Sequence, residues 1–316
     1  CVDLPAPSRP SSTTSMWGCF GSNYKYSKKM FHFVQHDNWI IFSIFAPYMN
    51  KNRQIDIMGI VNLTDDSFFA QSRCADPEKA LSLAGRLIEE GATILDFGAC
   101  STRPGSVPVG PEEEWRRLEP VLASVRKTFP DVRISVDTYH ASVVRKVFDL
   151  IGDFIVNDIS AGEDDPLMLE TVGRLALAYV AMHKRGNPVT MQHLTDYQDV
   201  VSDVLDYFSG FAGKAEAAGI TEWIVDPGFG FAKTVEQNYE LMRGLGRFKE
   251  EFPSRRLLAG VSRKSMIYRY LGICPEESLP ATQVLHLKAL QNGADILRVH
   301  DVLEAARTVS LYRMLD

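Results

Sequence analysis

The stretch IVDPGFGFAKT, residues 224–234, carries one carboxylate, Asp226, out of an apolar run into a turn of two glycines and two phenylalanines. Glycine serves a tight turn, but a turn has no need of Phe229 and Phe231. The pattern suits an aspartate that reads a flat, nitrogen-rich ring. Polar residues close other short apolar runs in the same way: Asn62, Asp137, Asn157 with Asp158, His183, Ser262 to Lys264, and Arg298 with His300, while Asp96 lies inside one such run. Asp137, Asn157 and Asp226 offer acceptors, the amide adding donors, and such a set can pair with a ring bearing an exocyclic amine and ring N–H groups. Arg103, Arg263, Lys264, Arg298 and His300 form a second, cationic set. A guanidinium fork beside an imidazole suits phosphate or diphosphate, and Arg298 and His300 flank Val299, so on a strand they share one face. Plainer roles compete. Asp137 could cap a helix starting near Tyr139, Asn157 and Asp158 could form a turn, Arg298 or His300 could pair with Asp301 or Glu304, and Phe229 and Phe231 could be core.

Such residues act together only if the chain gathers the ends of its strands. From Ile55 onward, the short apolar runs IDIMGIVN, TILDFGA, VRISVDT, FIVNDIS, LAYVAMH, EWIVDPG, LLAGVSR and DILRVHD alternate with amphipathic stretches. One of these, DPEKALSLAGRLIEEG, reads as a helix with Asp76 as N-cap, Pro77 in the first turn and Gly91 as its stop. Ala80, Leu83, Ala84, Leu87 and Ile88 fall on one face of it. Strands that are apolar throughout, alternating with helices, predict a parallel sheet covered by helices. Eight repeats predict closure into an α/β TIM (β/α)8 barrel, whose reactive groups collect where strands end and loops begin. A doubly wound open sheet is the competing architecture, but GIVNLTDD is not the glycine-rich phosphate turn expected after its first strand.

The 316 residues are 45% hydrophobic, enough for a sizeable core. A net charge of −6 argues against nucleic acid or an anionic membrane as the main partner, so any bound anion must be held by local arginines and lysines. Trp39–Ala46 is apolar but far shorter than the roughly 20 residues of a membrane helix. Five scattered cysteines with no CxxC pair suit reduced thiols in a cytoplasmic protein. Seven histidines without an HExxH motif or a tight cluster speak against a permanent zinc site. Residues 1–54 read as an N-terminal extension, disordered or non-native: LPAPSRPSSTTS is rich in Pro, Ser and Thr, and the aromatic, basic stretch after it has no clear period.

In order along the chain, MGIVNLTDDSFF, DFGACSTRPGS, SVDT, NDIS, DPGFGFAKT, GVSRKSM and RVHDV resemble the motifs of the dihydropteroate synthase family, from about Ile55 to the C-terminus. The resemblance implies a transferase of folate biosynthesis on a TIM barrel. It would join 6-hydroxymethyl-7,8-dihydropterin diphosphate to p-aminobenzoate, releasing pyrophosphate and forming 7,8-dihydropteroate, and sulfonamides would mimic its benzoate. Carried onto matching positions, the pterin pocket would be Asp137, Asn157, Asp226, Lys264 and Arg298. The diphosphate would meet Asn62, Arg103, Arg298 and His300, with Mg2+ near Asn62. The p-aminobenzoate site would be Thr102, Arg103, Pro104, Phe231 and Ser265, with Lys264 at its edge. Catalysis would then fall to Asn62, Arg103, Lys264, Arg298 and His300, and the resemblance implies a homodimer through helices late in the barrel. The first loop departs from the family's T-P-D-S-F-S-D-G, having Asp65 for proline and Ala70 where an acid is usual. Ala99 and Cys100 replace Gly and Glu in the second. Two other readings compete: a pterin-binding methyltransferase barrel, which has no call for the STRPG loop or the Arg298–His300 pair, and a non-catalytic pterin-binding homologue, which has no need of the diphosphate cluster.

Overall fold

Eight short strands close on themselves. In a computed structural model that describes residues 53–63, 76–100, 109–186 and 190–315, they are β1 (Asp56–Asn62), β2 (Ile94–Gly98), β3 (Arg133–Asp137), β4 (Ile155–Asp158), β5 (Ala178–Met182), β6 (Trp223–Asp226), β7 (Arg256–Ala259) and β8 (Ile296–Val299). Each pairs in parallel with the next, and β8 returns to β1 with Arg298 opposite Met58. Closure excludes the open doubly wound sheet. The expected extension up to residue 52, and Asp65, Ala70, Thr102, Arg103 and Pro104, lie outside the described residues.

The helices are α1 (Pro77–Glu89), α2 (Pro111–Thr128), α3 (Ala141–Ile151), α4 (Met168–Leu175), α5 (Val200–Ala217), α6 (Val235–Arg243), α7 (Gly246–Glu251), α8 (Ser265–Leu271), α9 (Leu279–Gln291) and α10 (Val302–Leu315). Their start signals are local. Asp76 accepts from the Glu78 N–H at 3.0 Å ahead of Pro77. Thr234 and Gln237 form a reciprocal capping box that starts α6 directly after the DPGFGF turn.

Strand alternation divides the apolar residues into two cores. Leu95, Phe97, Val136, Val156, Leu297 and Val299 point outward and join Leu83, Leu87, Leu118, Leu122 and Val144 of the helices in one large cluster. Met58, Ile94, Val180, Ile224, Leu258 and Ile296 point inward and fill the barrel as a separate small cluster. Below them the floor is ionic: buried Asp56 accepts from Arg133, from Arg256 at 2.6 Å and from the Thr93 hydroxyl at 2.9 Å. Arg53 already packs on the barrel, donating to the Leu290 carbonyl at 2.9 Å and lying over the Tyr312 ring. A side chain two positions above the inner cluster must therefore face the opposite mouth, at the C-terminal ends of the strands.

Candidate active site

Steps of two along the strands lead from Ile94 to Asp96, from Ile155 to Asn157, from Ile224 to Asp226, and from Ile296 to Arg298 and His300. Asp96, fully buried, is the hub. It accepts from the Ser135 hydroxyl at 2.6 Å, from the Asn157 amide at 3.2 Å, and from Arg298 Nε at 2.7 Å. Arg298 Nη2 also donates to Asp137 Oδ2 at 2.8 Å, so one guanidinium bridges two carboxylates. Burial opposes the charge on Arg298, but Asp96 and Asp137 hold it firmly protonated. Asp137 is not a helix cap. The first N–H of α3, on Ala141, is taken by Asp165 at 2.8 Å, which leaves the Asp137 carboxyl to the mouth. Burial raises the pKa of Asp137, Arg298 pulls it down, and Asp96 pushes it up again. Asn62 stands close by: a Cβ built on Gly98 would touch both residues, 3.6 Å from Asn62 Oδ1 and 3.5 Å from Asp137 Cβ.

Asp226 closes β6 and accepts the Gly228 N–H at 2.9 Å. Burial raises its pKa and Lys264 works against the rise. Gly228 has φ +70°, and a Cβ there would lie 2.0 Å from the His183 carbonyl oxygen, so only glycine fits this turn. Lys264 donates to the Phe229 carbonyl and places its amine 4.8 Å from the Phe231 ring centroid. Burial lowers its pKa to about 8, with Asp226 opposing and Arg298 adding to the fall. Phe229 is fully buried in the outer core, as the plain reading has it, whereas Phe231 is half-buried beside Lys264. Ser265 opens α8 next to Lys264. His300 follows β8 and meets the Ser262 hydroxyl through Nδ1 at 3.1 Å. Burial, aided by Arg298, lowers its pKa to about 4, which keeps the imidazole neutral at pH 7.

Three strand-end residues are employed elsewhere. Arg263 forks onto Asp301, with two bonds of 2.8 Å, and donates to the carbonyls of Pro275 and Glu276, so the pairing considered for Arg298 or His300 belongs to Arg263. His183 points away from the barrel axis, as its neighbour Met182 faces inward, and packs edge-on against Tyr207 at 4.9 Å. Asp158 makes a turn, accepting from Ser160 N–H, Ser160 hydroxyl, Gly162 N–H and Tyr179 hydroxyl. The turn reading therefore holds for Asp158, while Asn157 faces Asp96. Burial pushes the Cys100 thiol up, which keeps it protonated and suits a passive side chain. Sequence reasoning noted Asp96 without giving it a role, and left two further residues unassigned that the structure makes prominent. Ser135 seats Asp96, and Lys233, 5% exposed, sits beneath the DPGFGF turn. A polar residue facing inward two positions before Asp137 is a readable signal for the first; the second carries no periodic signal.

Residues 58–300 match the family model described as "Pterin binding enzyme". Dihydropteroate synthase of Haemophilus influenzae is 40% identical over 260 residues, covering 81% of this chain and 92% of that protein. The folic acid synthesis protein fol1 of Pneumocystis carinii is 38% identical over 279 residues, which are 82% of this chain but 37% of that longer protein. The solved structure of Xanthomonas albilineans dihydropteroate synthase with 4-aminobenzoic acid aligns with a TM-score of 0.75 at 36% identity, covering 83% of this chain and 93% of that one. With the motif order, the closed parallel barrel and a match across the whole mouth, the chain belongs to the pterin-binding enzyme family.

Proposed function

We propose that the chain is a dihydropteroate synthase, joining 6-hydroxymethyl-7,8-dihydropterin diphosphate to p-aminobenzoate with release of pyrophosphate. The observation that carries this reading is the bridge of Arg298 between Asp96 and Asp137, across one mouth from Asp226 and Lys264. Carboxylates that can grip a heterocycle thus stand against cations that can draw off its leaving group. Asp137, Asn157 and Asp226 would read the amino-pyrimidinone edge, with Lys264 and Arg298 against the ring. Asn62, Arg298 and neutral His300 would receive the diphosphate, joined by Arg103. Phe231 and Ser265, with Thr102, Arg103 and Pro104, would wall the p-aminobenzoate.

The chemistry asks for placement and charge stabilisation rather than a strong base. As the exocyclic CH2–O bond breaks, negative charge moves onto the diphosphate, and preorganised donors aimed at that charge are the largest lever available. The arylamine is a neutral nucleophile, and holding it in line removes much of the remaining barrier. Among the described residues no three metal-ligating side chains gather, so this protein would offer Mg2+ the Asn62 amide oxygen, while diphosphate and water supplied the rest. Bound there, the ion would neutralise leaving-group charge. Self-association through late helices is supported by Val284 of α9 and Leu311 and Met314 of α10, each largely exposed. A cytoplasmic location fits Cys100 and Cys274, which are free thiols; no helix among the described residues is long and apolar enough to cross a membrane.

Pyrophosphate release decides the matter. It is expected with both substrates and absent when p-aminobenzoate is omitted. Silence with both present refutes the synthase, and release without the arylamine would make the protein a hydrolase.

A further inference from the structure

The DPGFGF turn holds residues of both proposed subsites, Asp226 for the pterin and Phe231 for the arylamine, in a conformation its backbone does not favour alone. Within five residues Gly228, Gly230 and Ala232 take φ of +70°, +82° and +49°, and a left-handed alanine persists only where its surroundings impose it. Three side chains do so. Asn238 accepts the Gly230 N–H at 2.7 Å and returns its amide to the Thr234 carbonyl at 2.6 Å. Lys264 takes the Phe229 carbonyl from the side of the mouth. From beneath, Lys233 Nζ donates to the Gly228 carbonyl at 3.0 Å and the Phe231 carbonyl at 3.1 Å, and meets His183 Nδ1 at 3.0 Å.

Three partners match the three donors of an ammonium group, and Gly228 is held on both sides of its Cα: Asp226 takes its N–H and Lys233 its C=O. Burial lowers the pKa of His183 to about 2, leaving a neutral ring whose Nδ1 can accept. Burying an amine is expensive unless its bonds are all made, and burial drags Lys233 down to about 7 against the pull of Asp226. A methionine would fill the same volume without that penalty, so the amine has a task that packing does not explain.

The two lysines differ in what they can do during a reaction. Lys264 lies at the mouth and, under the reading above, turns to substrate, which releases the Phe229 carbonyl at the moment both substrates need the turn in place. We propose that Lys233, with His183 as its acceptor, is a positioning residue that keeps Asp226 and Phe231 in register when Lys264 engages substrate, so that one buried amine ties the pterin and arylamine subsites together. The inference rests on the synthase reading and adds to it a residue that does not touch substrate.

The test is Lys233→Met, compared with wild type for kcat, for KM of each substrate, and for the urea midpoint of unfolding. The expected result is a rise of about tenfold in both KM values together, equivalent to about 1.4 kcal/mol each, with kcat lowered by no more than about threefold. His183→Leu removes one acceptor of three and should raise both KM values by about threefold, whereas His183→Gln, which keeps an acceptor, should restore them. These two variants carry the test if Lys233→Met does not fold. Both KM values staying within about twofold of wild type, or only one of them rising, overturns the proposal, whatever happens to the urea midpoint. Wild-type turnover tests the synthase reading by itself, and a change measured against an active wild type tests the inference by itself.

Discussion

Arg298 is the residue on which the acid and cation sets meet, so its removal should be felt in the chemistry before binding. Arg298→Ala leaves Asp96 and Asp137 without the guanidinium that both bond and, on the proposed function, takes one donor from the leaving group. Turnover should fall about 10²–10³-fold, as when other preorganised donors are deleted, while the affinity for the free pterin ring falls much less; normal turnover in steady-state kinetics would refute the assignment. Lys264 gives a pH signature. Burial sets its pKa near 8, so the ammonium is present below that value and lost above it, and kcat/KM for the pterin diphosphate should decline as pH rises through about 8. Replacement by arginine, which stays charged far beyond that range, should remove this limb from whatever activity remains; a limb that stays in place assigns it to another group. Parity along a strand made much of this legible: Arg298 and His300 face inward with Ile296, and the same count from Val180 turns His183 outward. Partnership was not legible. Asp96 finds Asn157 and Arg298 at 61 and 202 residues' separation, and Arg263 finds Asp301 where sequence adjacency suggested Arg298 or His300.

At the scale of elements, the barrel separates function from support by its two ends. The strands were readable because parallel strands buried on both faces are unbroken apolar runs, and the helix starts because Asp76 and Pro77 have local chemistry. The end of β7 was not. The apolar run continues through Val261, but the ladder to β8 stops at Ala259, and Ser262 to Lys264 form the turn that delivers Lys264 to the mouth. Nor was the ionic floor visible, since Asp56, Arg133 and Arg256 come from three strands far apart in the chain. Replacing both arginines by methionine would leave the Asp56 carboxylate, 2% exposed as a side chain, with Thr93 alone. Stripping a buried charge of its partners lowers stability by about 3–5 kcal/mol, whereas the KM values set at the opposite mouth should not move. Urea unfolding followed alongside steady-state kinetics checks both halves, and a change in KM would show that floor and mouth are coupled.

For the molecule as a whole, imidazoles buried in neutral form should weaken the fold as pH falls. Burial lowers the folded pKa of His183 to about 2 and of His286 and His300 to about 4, against about 6.5 in an unfolded chain. Between those values the unfolded state binds protons that the folded state refuses, so each histidine subtracts stability as pH falls from about 6.5 toward its folded pKa. Asp137, Asp158 and Asp226 act in the opposite sense. Burial raises their folded pKa, so they favour the folded state as pH falls from that raised value toward the ordinary carboxylate range. The net slope is a contest, and a single variant isolates one side of it. His286 lies in α9, fully buried, with Asp301 as the charged group acting on it. His286→Gln removes the titration while keeping a polar side chain of similar reach. At a fixed protein concentration, the drop in urea midpoint on going from about pH 7.5 to about pH 5 should be smaller in this variant than in wild type, with the dependence on urea unchanged. Equal drops in the two proteins would mean that His286 keeps the same proton affinity folded and unfolded, and that the acid sensitivity of the barrel lies with other groups.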